Sequence, residues 1–424
     1  MGFLAALRRG AGLTTGEAAW AALSPDSVTI APSLVVEAAA GSPARPPNSR
    51  FNPVNRYNSN QVGSVQVCTA AGLVSLYAFA ASLPAPSADS VSALIESGHW
   101  KRARQAVEVR LKANPNDAQA HAWLSKIDSS FGDLSGAIDE AERAVALNPG
   151  SAAFHGQLAE AYALMADHST VVRGVLYARR MKREIAAALA IDPNHLDTLL
   201  VQMMYEWKAP TIAGGDREHA REIVRHIGRV SPLWGYLAQA RLAEDEGDDG
   251  ALETALRKAV QVDPSSYRAR MDLARFYCCT SRQKRYADAE RIAREAIALD
   301  PSSAGGWEIL ARIYAAQHRG SDLTDLLSRA SNAAPDDLTP YYAAASVLFE
   351  TGQDFPHAEE YLHRYLGGSV EGRAPSHAEA SWLLAELYEH EGRKGEAVRQ
   401  LQVAIHLDPA FEPARRDLYR LRHS

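Results

Sequence analysis

Nine prolines punctuate this 424-residue chain from residue 115 onward: Pro115, Pro149, Pro193, Pro232, Pro264, Pro301, Pro335, Pro375 and Pro409. Their separations are 34, 44, 39, 32, 37, 34, 40 and 34 residues. Proline cannot continue a helix, and it turns the residue before it away from helical backbone, so each one ends a helix. The residues before them recur as well, as in Leu147-Asn148-Pro149, Ile191-Asp192-Pro193, Val262-Asp263-Pro264, Leu299-Asp300-Pro301 and Leu407-Asp408-Pro409. The aliphatic residue is expected to cap the core, and the Asx side chain suits the turn. Twelve positions before the markers stand Ala103, Ala137, Met181, Ala220, Leu252, Ala289, Leu323 and Ala397, and in the unit ending near Val370 stands Ala358. Five positions before them stand Ala144, Ala188, Ile227, Ala259, Ala296, Ala330 and Ala404. Small or apolar residues at fixed offsets predict close helix crossings in every unit. A chain this long exceeds one ordinary core of about 100–200 residues. A repeat array escapes that limit because each unit packs on its neighbours.

The plainest unit runs from Pro301 to Pro335. Ala304, Trp307, Leu310, Ala311 and Tyr314 recur at spacings of three and four, as on one face of a helix. A polar break at 317–322 follows, and then a second helix carries Leu323, Leu327 and Ala330. This helix-turn-helix unit resembles the tetratricopeptide repeat. Other first helices show the same signature at Trp123-Leu124, Leu158–Tyr162, Leu273–Tyr277 and Leu384–Tyr388. The resemblance implies an all-α solenoid, a right-handed superhelix of about nine units over 88–410. Residues 411–424, with Phe411, Ala414, Leu418 and Leu421 among arginines, then form a C-terminal capping helix whose Arg cluster faces solvent. The unit at 233–264 is short and departs most from the pattern. Two insertions lengthen the array at 166–180 and 208–216. The second, Ala209-Pro210 to Gly214-Gly215-Asp216, is similar to loops of exported bacterial proteins carrying this repeat.

The N-terminal region reads differently. Residues 1–61 are rich in Pro, Gly, Ser and Asn and predict a disordered extension or a start codon assigned too far upstream. Residues 57–88 carry no charge, and Val65 to Leu83 is largely apolar, with Arg45, Arg50 and Arg56 before it and Asp89 and Glu96 after it. That layout predicts a signal peptide or membrane anchor over 62–87, which exports the array to the periplasm or tethers it there through 65–83.

Composition narrows the chemistry. The net charge is −6 and no basic run appears, which argues against nucleic acid as a partner. The three cysteines, Cys68, Cys278 and Cys279, form neither a disulfide framework nor a CxxC pair. There is no HExxH, GxSxG, Walker loop or GxGxxG, so the chain reads as a non-enzyme without cofactor. His357, Glu359 and His363 share a helix, but their spacing does not converge on a metal.

The resemblance implies that first helices line a concave groove. Carried over, the groove residues are Met204 and Trp207, then Arg268 and Arg275, then Arg312, Tyr342, Trp382 and Glu386, with Leu200, Met271 and Phe349 beside them. Aromatic residues and Arg are enriched in binding hot spots. The expected ligand is an acidic, extended protein segment over units six to nine, with Arg268, Arg275 and Arg312 converging on one wall. Chaperone-tail binding is disfavoured, because Lys126 stands alone without the asparagines of that clamp. The function expected is therefore a non-enzymatic protein-interaction scaffold that binds an extended peptide or partner helix. Two alternatives stand beside it: an accessory subunit of a cell-envelope complex, and an enzyme whose site lies in the inserted loops.

Overall fold

The computed structural model describes residues 88–423 save 212–213 and 282–283. The expected extension at 1–61 and the signal or anchor at 62–87 lie outside the described residues. Among the described residues nineteen α-helices follow one another, and no helix is long and apolar enough to cross a membrane.

The helices pack in consecutive pairs. These are α1 (Ala88–Glu96) with α2 (Trp100–Ala113), α3 (Ala118–Ser130) with α4 (Leu134–Leu147), and α5 (Ala152–Asp167) with α6 (Val171–Ile191). Next come α7 (Leu196–Lys208) with α8 (Arg217–Val230), and α9 (Pro232–Glu246) with α10 (Asp249–Val262). α11 (Tyr267–Arg275), continued by a π-turn at Phe276–Thr280, pairs with α12 (Tyr286–Leu299). The array ends with α13 (Ala304–Ala316) and α14 (Gly320–Ala333), α15 (Thr339–Glu350) and α16 (Phe355–Leu366), α17 (His377–His390) and α18 (Lys394–Leu407), and a single α19 (Glu412–His423).

The small residues at fixed offsets are the crossing points. Ala103, Ala137, Ala220, Ala289, Ala358 and Ala397 have no exposed surface, and neither do Ala144, Ala188, Ile227, Ala259, Ala296 and Ala404. The aliphatic residues before the Asx-Pro turns behave differently from expectation. Leu147, Ile191, Val262, Leu299 and Leu407 are 38–50% exposed. Each is the last residue of its helix, where the chain leaves the pair to enter the turn. The turn is sealed instead from the next helix, by the side chain six positions after the proline. His121 lies 2.9 Å from the Pro115 carbonyl, His155 3.1 Å from that of Pro149, and the Trp307 indole donates over 3.0 Å to that of Pro301. Arg270 does the same to Pro264.

A second device joins neighbouring units. Glu290 of α12 accepts from Tyr314 of α13 (3.1 Å) and from Arg319 at the head of α14 (2.8 Å), whose guanidinium covers the Tyr314 ring at 3.9 Å. Glu253, Tyr277 and Arg285 repeat the arrangement, as do Glu359, Tyr388 and Arg393. Burial alone would raise the Glu290 carboxyl, but hydrogen bonds from Arg319 and Tyr314 outweigh it and hold the group below the usual range.

Pro232 does not close a helix. It is the first residue of α9, and Ser231 serves at once as C-cap of α8 and N-cap of α9. Gly228 and Gly235 permit that abrupt crossing, since a Cβ on Gly235 would stand 2.4 Å from the Gly228 Cα. The missing turn explains why this unit is short.

The first pair also touches the far part of the array. The Lys101 amide donates to Glu371 (2.8 Å), and Lys101 Nζ lies 3.0 Å from the same carboxylate and donates to the carbonyls of Asp336 and Ser369. Arg102 pairs with Asp336, and His99 Nε2 lies 3.1 Å from Ser302 Oγ. The Trp100 ring fills the space where Gly372 has no side chain; a Cβ there would stand 2.2 Å from it. Glu371 thus caps the start of α2, where four amides lack intrahelical partners and a negative charge is favoured.

Candidate partner-binding groove

First helices of successive units touch one another: α3 with α5, α5 with α7, α7 with α9, α11 with α13, α13 with α15 and α15 with α17. They form one layer of the array, in which α9 and α11 are not among the closely packed neighbours. A cavity of about 460 Å³ opens there. Its apolar floor includes Leu200 and Met204 of α7 and Trp234 and Leu237 of α9. Its charged rim carries Arg241 and Glu244 of α9 and Arg268, Asp272 and Arg275 of α11.

The rim charges are partly matched. Arg268 Nε donates to Asp272 (2.8 Å), Arg275 stands 3.9 Å from the same carboxylate, and Arg241 pairs with Glu244 at 3.0 Å. Two arginines sharing one aspartate leave a positive excess on α11. Arg268 and Arg275 keep 69% and 46% of their side chains exposed, so their guanidinium groups remain open to a ligand. Asp167, at the other end of the cavity, has a buried Oδ1 without a hydrogen-bond partner. Burial pushes its carboxyl up to about 7, with Lys208 opposing.

The expected groove residues separate into three sets. Met204, Arg268 and Arg275 line the cavity together. Trp207 does not. It is 1% exposed, packs among Leu199, Met203 and Ile223, and donates its indole N–H to Asp245 over 2.7 Å. Leu200, Met204 and Lys208 line the cavity, Leu199 and Trp207 run along the core side, and Met203 is shared by the core and the cavity wall. One residue, or about 100° of helix, separates the two readings.

Trp382 is also buried, at 7%; its N–H bonds Asp417 of α19 over 2.9 Å and its ring meets Phe411 edge-on. It holds the C-terminal helix in place. Glu386 faces the same helix, where burial and then the charges of Asp417 and Glu389 raise its carboxyl to about 7. Arg420 is not merely solvated there; it bonds Glu389 over 2.7 Å. Arg312 pairs with Glu308 along α13 (3.1 Å) and does not line the cavity with Arg268 and Arg275. Tyr342 is half-buried against Tyr365, with ring centroids 5.4 Å apart.

Among the cavity residues that escaped the sequence reading are Trp234, Leu237 and Arg241 of α9. Their spacing is helical, and Ser231-Pro232 is a helix-start signal, but the shortened unit hid its register. Elsewhere, Cys278 is buried and Cys279 exposed on the π-turn. Glu359 of the histidine-bearing α16 is occupied by Tyr388 and Arg393.

Residues 89–152 and 342–410 match the family model described as tetratricopeptide repeat. These two stretches carry tetratricopeptide repeats (TPRs). The matched stretches are the two ends of the array, and the helices between them continue the same pairing. Among curated proteins, none matches the chain. Of solved structures, yeast Tom70 is similar over 79% of this chain and 87% of its own, with 14% identity and a TM-score of 0.45. PilF of Pseudomonas aeruginosa is similar over 53% of this chain and 97% of its own, with 16% identity and a TM-score of 0.35. A TPR protein of Parabacteroides merdae is similar over 79% of this chain and 97% of its own, with 15% identity and a TM-score of 0.34. At these values the likenesses carry no functional argument. TPR proteins generally mediate protein–protein interactions, and the family is typically non-enzymatic.

Proposed function

We propose that this TPR array is a non-enzymatic scaffold that holds an acidic, extended peptide or partner helix against its first-helix layer. The observation that carries the reading is the cavity between α7, α9 and α11, where an apolar floor meets two exposed arginines that share one aspartate. Arginine holds carboxylates in a bidentate fork, and charged hydrogen bonds contribute roughly 1.5–3 kcal/mol each. This favours a ligand over units four to six. The alternative ligand span, units six to nine, is less favoured because Arg312 is taken by Glu308 and Trp382 by Asp417.

A test selects binders from a random peptide library on the full chain and titrates them against the Arg268→Ala/Arg275→Ala variant. The reading expects Asp- or Glu-containing peptides with apolar residues between the acids, and a loss of at least about tenfold in affinity at unchanged melting temperature. Selected peptides without acidic residues, or an unchanged affinity, would remove the groove as the site.

We also propose, from the uncharged run at 57–88, that the array is exported to the periplasm or anchored outside the cytoplasm. Fractionation that returns uncleaved, soluble cytoplasmic protein would refute this.

A further inference from the structure

The insertion at 166–180 builds the first half of α6, and its two faces differ sharply. On the inner face Gly174 approaches α5, where an added Cβ would stand 3.1 Å from the Ala166 carbonyl. Met181, Ile185 and Ala188 continue that face, all buried. Successive residues turn by about 100°, so Val172, Leu176, Arg179 and Arg183 project from the opposite side. Val172 is 75% exposed, Leu176 54% and Val175 43%. Behind this aliphatic end lie Arg179, Arg180, Lys182 and Arg183, with Arg173 beside it. Among the described residues none of these five cations has an ion-pair partner, whereas arginines elsewhere in the array are mostly paired across helices or along them. Arg180 instead leans over the rings of Tyr162 and Tyr177 and Lys182 over that of Tyr205, so Arg173, Arg179 and Arg183 are the cations left without such a partner. A chain of net charge −6 thus concentrates unpaired positive charge on one helix, directly behind its most exposed aliphatic side chains.

We infer that this half of α6 docks on an anionic lipid surface, with Val172, Val175 and Leu176 entering the interface and the cations meeting headgroup phosphates. Charge complementarity selects the partner: aliphatic residues flanked by Arg and Lys on an exposed helix are the composition of interfacial helices. The exposed stretch is one face of a single helix, and a bilayer needs no matching shape. Each cation near an anionic surface multiplies partitioning by about fivefold.

The test is local, so that the apolar run at 65–83 cannot imitate the result. Hydrogen exchange of the full chain is followed by mass spectrometry with vesicles of phosphatidylcholine and phosphatidylglycerol (3:1), and with phosphatidylcholine alone. We expect slowed exchange at 170–183 with the anionic vesicles only. The effect should disappear in Arg179→Glu/Arg183→Glu and in Val172→Ser/Leu176→Ser. All four residues are exposed, so both variants should keep the wild-type melting temperature. Unchanged exchange at 170–183 overturns the proposal. So does protection that the apolar variant retains in full, which would mark a general polyanion site. Protection at 170–183 that appears without vesicles as protein concentration rises would assign the surface to a second copy of the chain, and also overturns it.

Discussion

Asp167 shows how one side chain couples the groove to stability. Its carboxyl is raised to about 7 because burial disfavours the charged form, and Lys208 compensates only in part. A carboxyl raised in the folded state costs stability only when ionised. The cost is absent below about pH 4, grows as pH rises toward 7, and is complete above that. A shift of this size corresponds to at most about 4 kcal/mol. Asp167→Asn keeps the shape and removes the charge. The variant is expected to melt several degrees above the parent at pH 8 and together with it at pH 4. Thermal melts across that range decide the matter; a gap that does not vary with pH would assign the effect to packing instead. The Glu290 carboxyl has the opposite sign. Held low by Arg319 and Tyr314, it contributes stability above its unfolded value that is lost as pH falls through its folded one. Glu290→Gln should therefore weaken the array at pH 7 and have progressively less effect as pH falls through the folded-state value.

At the scale of the helix, tolerance depends on which side of the crossing a residue occupies. Ala296 has no exposed surface where α12 crosses its neighbours, so Ala296→Leu must displace backbone and is expected to destabilise by about 1–3 kcal/mol. Leu299, three residues later and 44% exposed, should accept Ala within about 0.5 kcal/mol. Urea melts of the two variants test this; equal losses would mean that the crossing is loose. The same contrast explains what was legible in the sequence. Crossing alanines were legible because a small residue at a fixed offset has one physical use in a helix pair. The aliphatics before Asx-Pro were misread because hydrophobicity alone does not say whether a helix end lies inside or beyond the packed pair. Trp207 was misread because Met203 and Met204 both stand at helical spacing from it, and only the packing of α8 shows which stripe is core. The pairing of Arg268 and Arg275 with Asp272 on the rim, and of Arg312 with Glu308 away from it, follows helical spacing and was open to reading from the sequence.

A repeat array is quasi-one-dimensional: each unit contacts its neighbours, and the ends fray first. The seam between the first pair and the turns near 302, 336 and 371 departs from that rule. It holds α1 and α2 from two directions, through α3 and through a contact 270 residues away in sequence. Glu371 is 4% exposed, so its attraction to Lys101 is little screened by salt, and removing one partner of a buried pair typically costs about 3–5 kcal/mol. In an open array that loss would fall on one unit alone. With the seam closed it should release both sides, since the 367–376 loop is held by Trp100 and Lys101 as much as it holds them. Glu371→Gln is therefore expected to speed amide exchange in two places at once, residues 88–113 and residues 367–376, while α7–α10 keep their protection. Faster exchange confined to 88–113 would mean that the first pair only rests on a loop that is stable without it. No change in either place would mean that the seam opens in solution and that Glu371 is solvated there.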